Sequence, residues 1–494
     1  MPEKIVSRPS KMSVPYIVQS LYMLSVLSAV LPFGAVHPIP LSFATVFSCL
    51  VAFVSALVFG VPAKTRWLFA IGLLLAVLTT AWVEIQSFPA LSPGLANPLW
   101  GDLSRASIQP GDGAISIQPA NSVMTLMFMA VPMMTFLTGL TVTRSDDDGR
   151  RIVLALAVGG AVCAVYGLIQ FTFFPNTNLF FPKTAYLDSL TATFINRNTA
   201  GTFLGLVCLA LIRYAWSLSQ EISWATLVQP RISGRKTKSS TLSFFMFIAL
   251  LLACSLAALF LTKSRGAIAS TFVALLFLVC FLALQQTKKR LGFSTATSRG
   301  KIFLRAALAV VTVAVVLGTF GGRALLRVEA QGGEDGRYCV LPGILQLAKG
   351  ESLLGYGFGT FRYAFPPYRD PQCGIVYIWE RAHNFYLEGL IGLGAIFVPI
   401  AVTGISALLI AHVMGLRKRR RMRSYSALGF ASILLVGLHG LVDFSLEIPG
   451  MATYFAALIA ATSTISLGKS AEGESRSGVR DNRRSAPPPS EGTA

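Results

Sequence analysis

The sequence is poor in charge. Only 13% of its 494 residues are Asp, Glu, Lys or Arg, about half the share found in soluble domains, and the mean hydropathy is +0.63. Apolar runs of roughly 18 residues or more recur throughout, each long enough to cross a hydrocarbon core about 30 Å thick. Together these exclude a soluble globular protein. Ten-residue alternation of polarity is missing, which excludes a β-barrel. No small-residue cleavage site follows the first apolar run, so Lys4, Arg8 and Lys11 flank an uncleaved first span. The seven cysteines and four histidines contain no CxxC pair and no His/Cys cluster, so no metal site is suggested. No Gly-Lys-Ser/Thr follows a glycine loop, which leaves a nucleotide P-loop unsupported. An internal repeat of the kind that marks inverted-repeat transporters is absent.

What the chain does have is positive charge, a net +20. Its distribution argues against nucleic acid, because the basic residues sit in short loops between apolar runs. With the N-terminus inside and about twelve spans, 30 of the 42 Lys and Arg fall on the inner side and 12 on the outer, as the positive-inside rule requires. The expected fold is all-α and polytopic, with one large outer loop. Residues 1–13 form an inner N-terminus, 14–321 the first nine transmembrane helices, 322–382 the loop, and 383–467 the last three helices. Residues 468–494, rich in Ser, Gly, Arg and Pro, form an inner tail that cannot bury a core and is expected to be disordered. Cys49, Cys163, Cys208, Cys254 and Cys280 lie within spans as packing residues. Cys339 and Cys373 lie in the large loop, on the oxidising side, and are expected to form a disulfide.

The 322–382 loop carries Arg323, Arg327, Arg337, Arg362, Arg369 and Arg381. Arginines are normally avoided on that side of a membrane, and a bulky anionic substrate would explain them. The loop ends at His383-Asn384. An imidazole there can take a proton from a sugar hydroxyl, and positive neighbours keep it neutral; the competing reading is an interfacial histidine capping a helix. The tight outer turn Leu261–Ala267 holds Lys263 and Arg265. A charge at membrane depth is a functional hypothesis by default, although either side chain can simply snorkel. Gly336-Arg337 and the run Gly355-Tyr-Gly-Phe-Gly359 suit a backbone that tracks a substrate closely, or a plain loop. Asn196 and Arg197 stand where an outer loop enters a span, suited to carbohydrate or phosphate, with helix capping by Asn196 as the alternative. Asp443, in the hairpin His439–Pro449, needs a partner at the membrane edge, for which an arginine of the site is the natural candidate; structural pairing and a substrate role stay open. His37 reads as interfacial and His412 as packing or headgroup contact.

Taken together, Thr193–Gly201, Thr262–Gly266, Gly336-Arg337, Leu354–Phe361, His383-Asn384 and Val442–Pro449 resemble the O-antigen ligase and O-antigen polymerase family of bacterial membrane glycosyltransferases. The resemblance spans roughly the last three hundred residues; the first three spans and the 89–120 loop carry no part of it. It implies a polyprenyl-dependent, GT-C-like helical architecture in the bacterial inner membrane, with an active site on the periplasmic face. It also implies metal-independent, inverting transfer of a glycan from undecaprenyl pyrophosphate to a glycan or lipid A-core acceptor, without a cofactor. Arg265 matches the family's arginine in the short outer turn, Arg337 the arginine opening the large loop, and His383 the catalytic base. Asn384, Asn196, Arg197, Arg381 and Asp443 are the expected substrate contacts. Arginine forks suit the pyrophosphate, since they bind its oxygens bidentately and stabilise the charge that develops as it leaves. Expected partners are the lipid-linked donor, the acceptor, the bilayer and other polysaccharide-assembly proteins. The rival readings are a transporter or flippase of a charged lipid-linked glycan, which would place ionisable groups mid-span rather than at outer ends, and a receptor or assembly scaffold.

Overall fold

The computed structural model describes residues 14–106, 113–222, 239–290, 336–373 and 378–468. The expected inner N-terminus, the ninth span (302–321), the start of the large loop with Arg323 and Arg327, and the tail from 469 lie outside the described residues. In chain order the main helices are α1 (Val14–Val30), α2 (Pro38–Phe59), α3 (Arg66–Ser87), α4 (Pro98–Arg105), α5 (Pro119–Val142), α6 (Asp146–Phe173) and α7 (Arg197–Ser219). There follow α8 (Ser239–Leu261), α9 (Arg265–Arg290), α10 (Gly336–Gly350), α11 (Phe385–Leu393), α12 (Phe397–Lys418), α13 (Arg423–His439) and α14 (Pro449–Ser466). Among the described residues, strand pairing is confined to Thr177–Asn178 with Phe181–Pro182, antiparallel.

Among the described residues, eight segments are long and apolar enough to cross a membrane: α2, α3, α5 to α9, and the Phe385–Lys418 stretch that contains α11 and α12. The protein is a multi-pass helical membrane protein. Three further helices, α1, α13 and α14, coincide with expected spans but are short, 17, 17 and 18 residues. α14 has a physical reason to be less apolar than a lipid-facing span. It is the hub of the bundle, packed against α1, α5, α6, α12 and α13, and nearly every one of its residues is buried. Its small residues permit this closeness: a Cβ on Gly139 of α5 would stand 2.6 Å from the Ala460 Cβ.

The expected tenth span, 383–414, is interrupted. Gly394 adopts φ +68° and separates α11 from α12, so carbonyls near the break lose their helical partners. Neighbouring groups take their place, as irregular backbone at membrane depth demands. Trp82 Nε1 donates to the Leu393 carbonyl at 2.8 Å and Gln86 Nε2 to that of Gly392 at 3.0 Å. The glycine run packs into the same gap. Tyr356 N donates to the Ile391 carbonyl at 2.8 Å and Gly357 N to that of Gly392 at 3.1 Å. A Cβ on Gly355 would lie 2.6 Å from the Gly392 oxygen, and Gly355, Gly357 and Gly359 all have positive φ. The close approach Gly355 allows is therefore to the backbone of the broken helix, whereas Gly357 and Gly359 lie against the side chains of Ser116 and Thr125.

Candidate functional site

The site is built on the hairpin between α13 and α14. On one side stands the turn between α8 and α9. Gly266, beside Arg265, lies so near this hairpin that a Cβ would meet His439 Cδ2 and Val442 Cγ2, each at 3.0 Å. On the other side stands the end of the large loop. Phe385 N donates to the Gly440 carbonyl at 2.9 Å, Asn384 Nδ2 donates to that of Leu441 at 2.8 Å, and the His383 ring meets Phe444 edge-on with centroids 5.0 Å apart. The six residues from His439 to Phe444 thus carry the Arg265 turn and the His383 turn together.

Arg265 is the first residue of α9 and is exposed. Its neighbour Lys263 has φ +55° and forms a 3.0 Å ion pair with Asp188 at the surface. His383 is half-buried between Trp379 (5.4 Å) and Phe444, both edge-on. Its φ of +52° is a left-handed conformation that costs a non-glycine residue about 1–2 kcal/mol. Arg337 is the second residue of α10.

The remaining expected contacts have partners within the protein. Asn384 caps α11, its Oδ1 accepting from Tyr386 N and Leu387 N, both at 3.0 Å. Asn196 caps α7, accepting from Asn198 N at 2.7 Å. Arg197 lies over the Tyr186 ring at 5.4 Å and donates to Ser189 Oγ at 3.4 Å. Arg381 Nη1 reaches Glu388 Oε1 at 3.1 Å and Glu447 Oε2 at 2.9 Å. Burial alone would weaken its charge, but Glu447 and Glu388 outweigh burial and hold the guanidinium above its ordinary value. Glu447 moves the other way. Burial and then the nearby Glu388 carboxylate push it well above the ordinary carboxylate range, and Arg381 only partly offsets them.

Asp443 is fully buried, and its partners are not the expected arginine. It accepts from Asn198 Nδ2 at 2.9 Å and from Ser445 Oγ. The network continues through Ser264 Oγ to Asn198 Oδ1 (2.8 Å), Thr202 Oγ1 to Ser445 Oγ (3.1 Å), and Thr202 Oγ1 with His439 Nδ1 (2.6 Å). Sequence reasoning missed Asn198, Ser264, Thr202 and His439 as one unit. The available signal was that each sits one to five residues from a flagged charge, at a helix end that must bring polar groups inside. It also missed Glu388 and Glu447, which were the acidic residues placed to balance an arginine at the membrane edge.

A cavity of about 370 Å³ adjoins this cluster. Apolar side chains such as Leu75, Phe128, Phe136 and Ile459 line it, and Arg381, Glu388 and Glu447 form its polar end. Cys339 is disulfide-bonded, and Cys49, Cys163, Cys208, Cys254 and Cys280 are free thiols. His412 is buried against Thr462 Oγ1 at 3.0 Å, a packing role. Among the described residues no three His, Cys, Asp or Glu side chains are grouped so as to hold a metal ion.

Residues 250–398 match the family model described as O-antigen ligase. Over these residues the chain is similar to the O-antigen ligase family. No curated protein matches the chain. The O-antigen ligase segment runs from within α8 to the start of α12, so it contains Arg265, Arg337, the glycine run, Arg381, His383 and Glu388. Asn196, Arg197 and the Asp443 hairpin lie outside it.

Proposed function

We propose that this O-antigen ligase-like enzyme moves a glycan from undecaprenyl pyrophosphate to an acceptor hydroxyl at the periplasmic face of the bacterial inner membrane. The acceptor is either lipid A-core or the end of a growing polysaccharide. The reading includes twelve spans in a GT-C-like arrangement, with 322–382 as the large periplasmic loop. One observation carries it: an exposed arginine at a helix start and a histidine at the loop's end are anchored to the same short hairpin.

The chemistry follows from these groups. Arg265 and Arg337 hold the pyrophosphate oxygens. His383 takes the proton of the acceptor hydroxyl, and that oxygen attacks the anomeric carbon from the face opposite the leaving group. The bond from this carbon to the pyrophosphate oxygen breaks, configuration inverts, and undecaprenyl pyrophosphate departs with the electron pair, its charge stabilised by the arginines. No metal is required in this scheme.

The test is transfer in vitro with purified enzyme and lipid-linked donor, following donor affinity and product separately. His383→Ala should lose turnover far more than donor binding. Arg265→Lys and Arg337→Lys should recover little of what Ala substitution loses, because Lys cannot form the bidentate fork. Near-normal turnover in His383→Ala, or loss of activity with chelator, would refute the metal-free base mechanism. Surface glycans of a deletion strain identify the acceptor: shortened chains mean polymerisation, and long chains stranded on the carrier mean ligation.

A further inference from the structure

We infer that Glu388 is the positioning residue for His383, and that Arg381 and Glu447 hold Glu388 in place. This inference rests on the reading of His383 as the base. His383 sits in a left-handed conformation that costs a non-glycine residue free energy, so the surrounding structure must hold it. The turn is pinned on both sides. After His383, Asn384 caps α11 and ties to Leu441, and Phe385 N bonds to Gly440. Before it, the Glu388 carboxylate holds the backbone. Glu388, one turn into α11 and buried, reaches back so that Oε2 accepts from Ala382 N at 2.6 Å while Oε1 accepts from Arg381 Nη1 at 3.1 Å.

Glu388 is itself held. The same Arg381 Nη1 donates to Glu447 Oε2 at 2.9 Å, and Glu447 lies on the hairpin that carries Phe444 against the His383 ring. The chain of contacts runs from the hairpin through Glu447, Arg381 and Glu388 to the Arg381–Ala382 peptide, one residue before His383. It provides two carboxylates for one guanidinium, so either carboxylate can lose its charge without stranding the arginine. The backbone bond to Ala382 has no such second supplier within the triad.

That asymmetry gives the test. Glu388→Gln keeps an acceptor for Ala382 N and leaves Arg381 paired with Glu447; kcat should stay within about fivefold of wild type. Glu388→Ala also leaves Arg381 paired but removes the acceptor; kcat should fall about 100-fold, as a misplacement near 1 Å does, with donor KM changed by no more than about twofold. Glu388→Asp keeps the charge but loses reach, and should resemble Glu388→Ala. It also serves if the Ala variant fails to elute as a folded species. Equal activity of the Gln variant and the Ala or Asp variant, whether high or low, overturns the inference. So does a loss confined to donor KM. His383→Ala measured in the same assay separates the two levels. If it is inactive while Glu388→Gln and Glu388→Ala are equal, only the positioning role fails; if it is active, the base assignment itself fails.

Discussion

Removing the Asp443 carboxylate should unfold the site before it harms chemistry. Asp443 is fully buried and accepts two hydrogen bonds, from Asn198 Nδ2 and Ser445 Oγ. Asp443→Ala strands both donors in a dry setting, at about 1–3 kcal/mol each. Against that, the variant no longer has to bury a carboxylate, which offsets part of the loss. The net destabilisation is then about 2–4 kcal/mol. Asp443→Asn retains one acceptor oxygen and should cost about half as much. Because Asn198 also accepts from Ser264 at the Arg265 turn, the damage should spread to that turn, and Ser264→Ala should add less in the Asp443→Ala background than alone. The assay is the melting midpoint in detergent at one fixed scan rate, read beside transfer activity at a temperature where each variant is folded. If Asp443→Ala melts like wild type yet is inactive, the carboxylate touches substrate and the structural reasoning is refuted.

Three further outcomes are expected. Cys339 should resist thiol labelling in the absence of reductant, since it is disulfide-bonded; with Cys373 as the partner expected from sequence, the bond closes a loop of about 34 residues, worth roughly 3–4 kcal/mol, and ready labelling at Cys339 would refute it. Gly355→Ala forces a Cβ to 2.6 Å from the Gly392 oxygen at φ +75° and should destabilise by about 2–4 kcal/mol; an unchanged melting midpoint would mean the glycine run is not clamped to α11. Glu447 has a raised folded pKa, so its contribution is present at low pH and lost as pH rises above the ordinary carboxylate range toward the folded value. Glu447→Gln escapes that loss, and its melting midpoint relative to wild type should be higher at pH 7.5 than at pH 5; a constant difference would refute the raised value.

Much of the fold was legible because lipid imposes a strong rule: a lipid-facing span must be long and apolar. That rule reveals α2, α3 and α5 to α9. It weakens for α14, which faces protein rather than lipid and can carry Thr453, Thr462, Ser463 and Thr464 in its buried surface. It fails at Gly394, because Gly392-Leu393-Gly394 is as apolar as the spans around it and contains no proline. What ends the helix there is supplied by Trp82 and Gln86, some three hundred positions away, and no local pattern records a partner at that distance.

The site divides along the same line. Arg265 and His383 stand out in the sequence because each is an ionisable group at a helix end, where placement alone raises a question of function. Their partners could not be ranked that way. Asp443 and Glu447 are four residues apart in one hairpin, and Asp443 was the one expected to meet an arginine. The longer side chain, from a short helical turn (Ser445–Glu447), reaches Arg381, whereas Asp443 turns into the bundle toward Asn198. One extra methylene and one turn of backbone decide which carboxylate meets the guanidinium. The consequence for function is that Arg381, which by position alone resembled the other loop arginines, has its charge balanced inside the protein. Arg265 has no ion-pair partner among the described residues and is exposed. An arginine that binds a departing pyrophosphate must be free of a fixed carboxylate, since a pre-paired fork gives up that partner before it can help. By that criterion the proposed phosphate role falls to Arg265 rather than to Arg381.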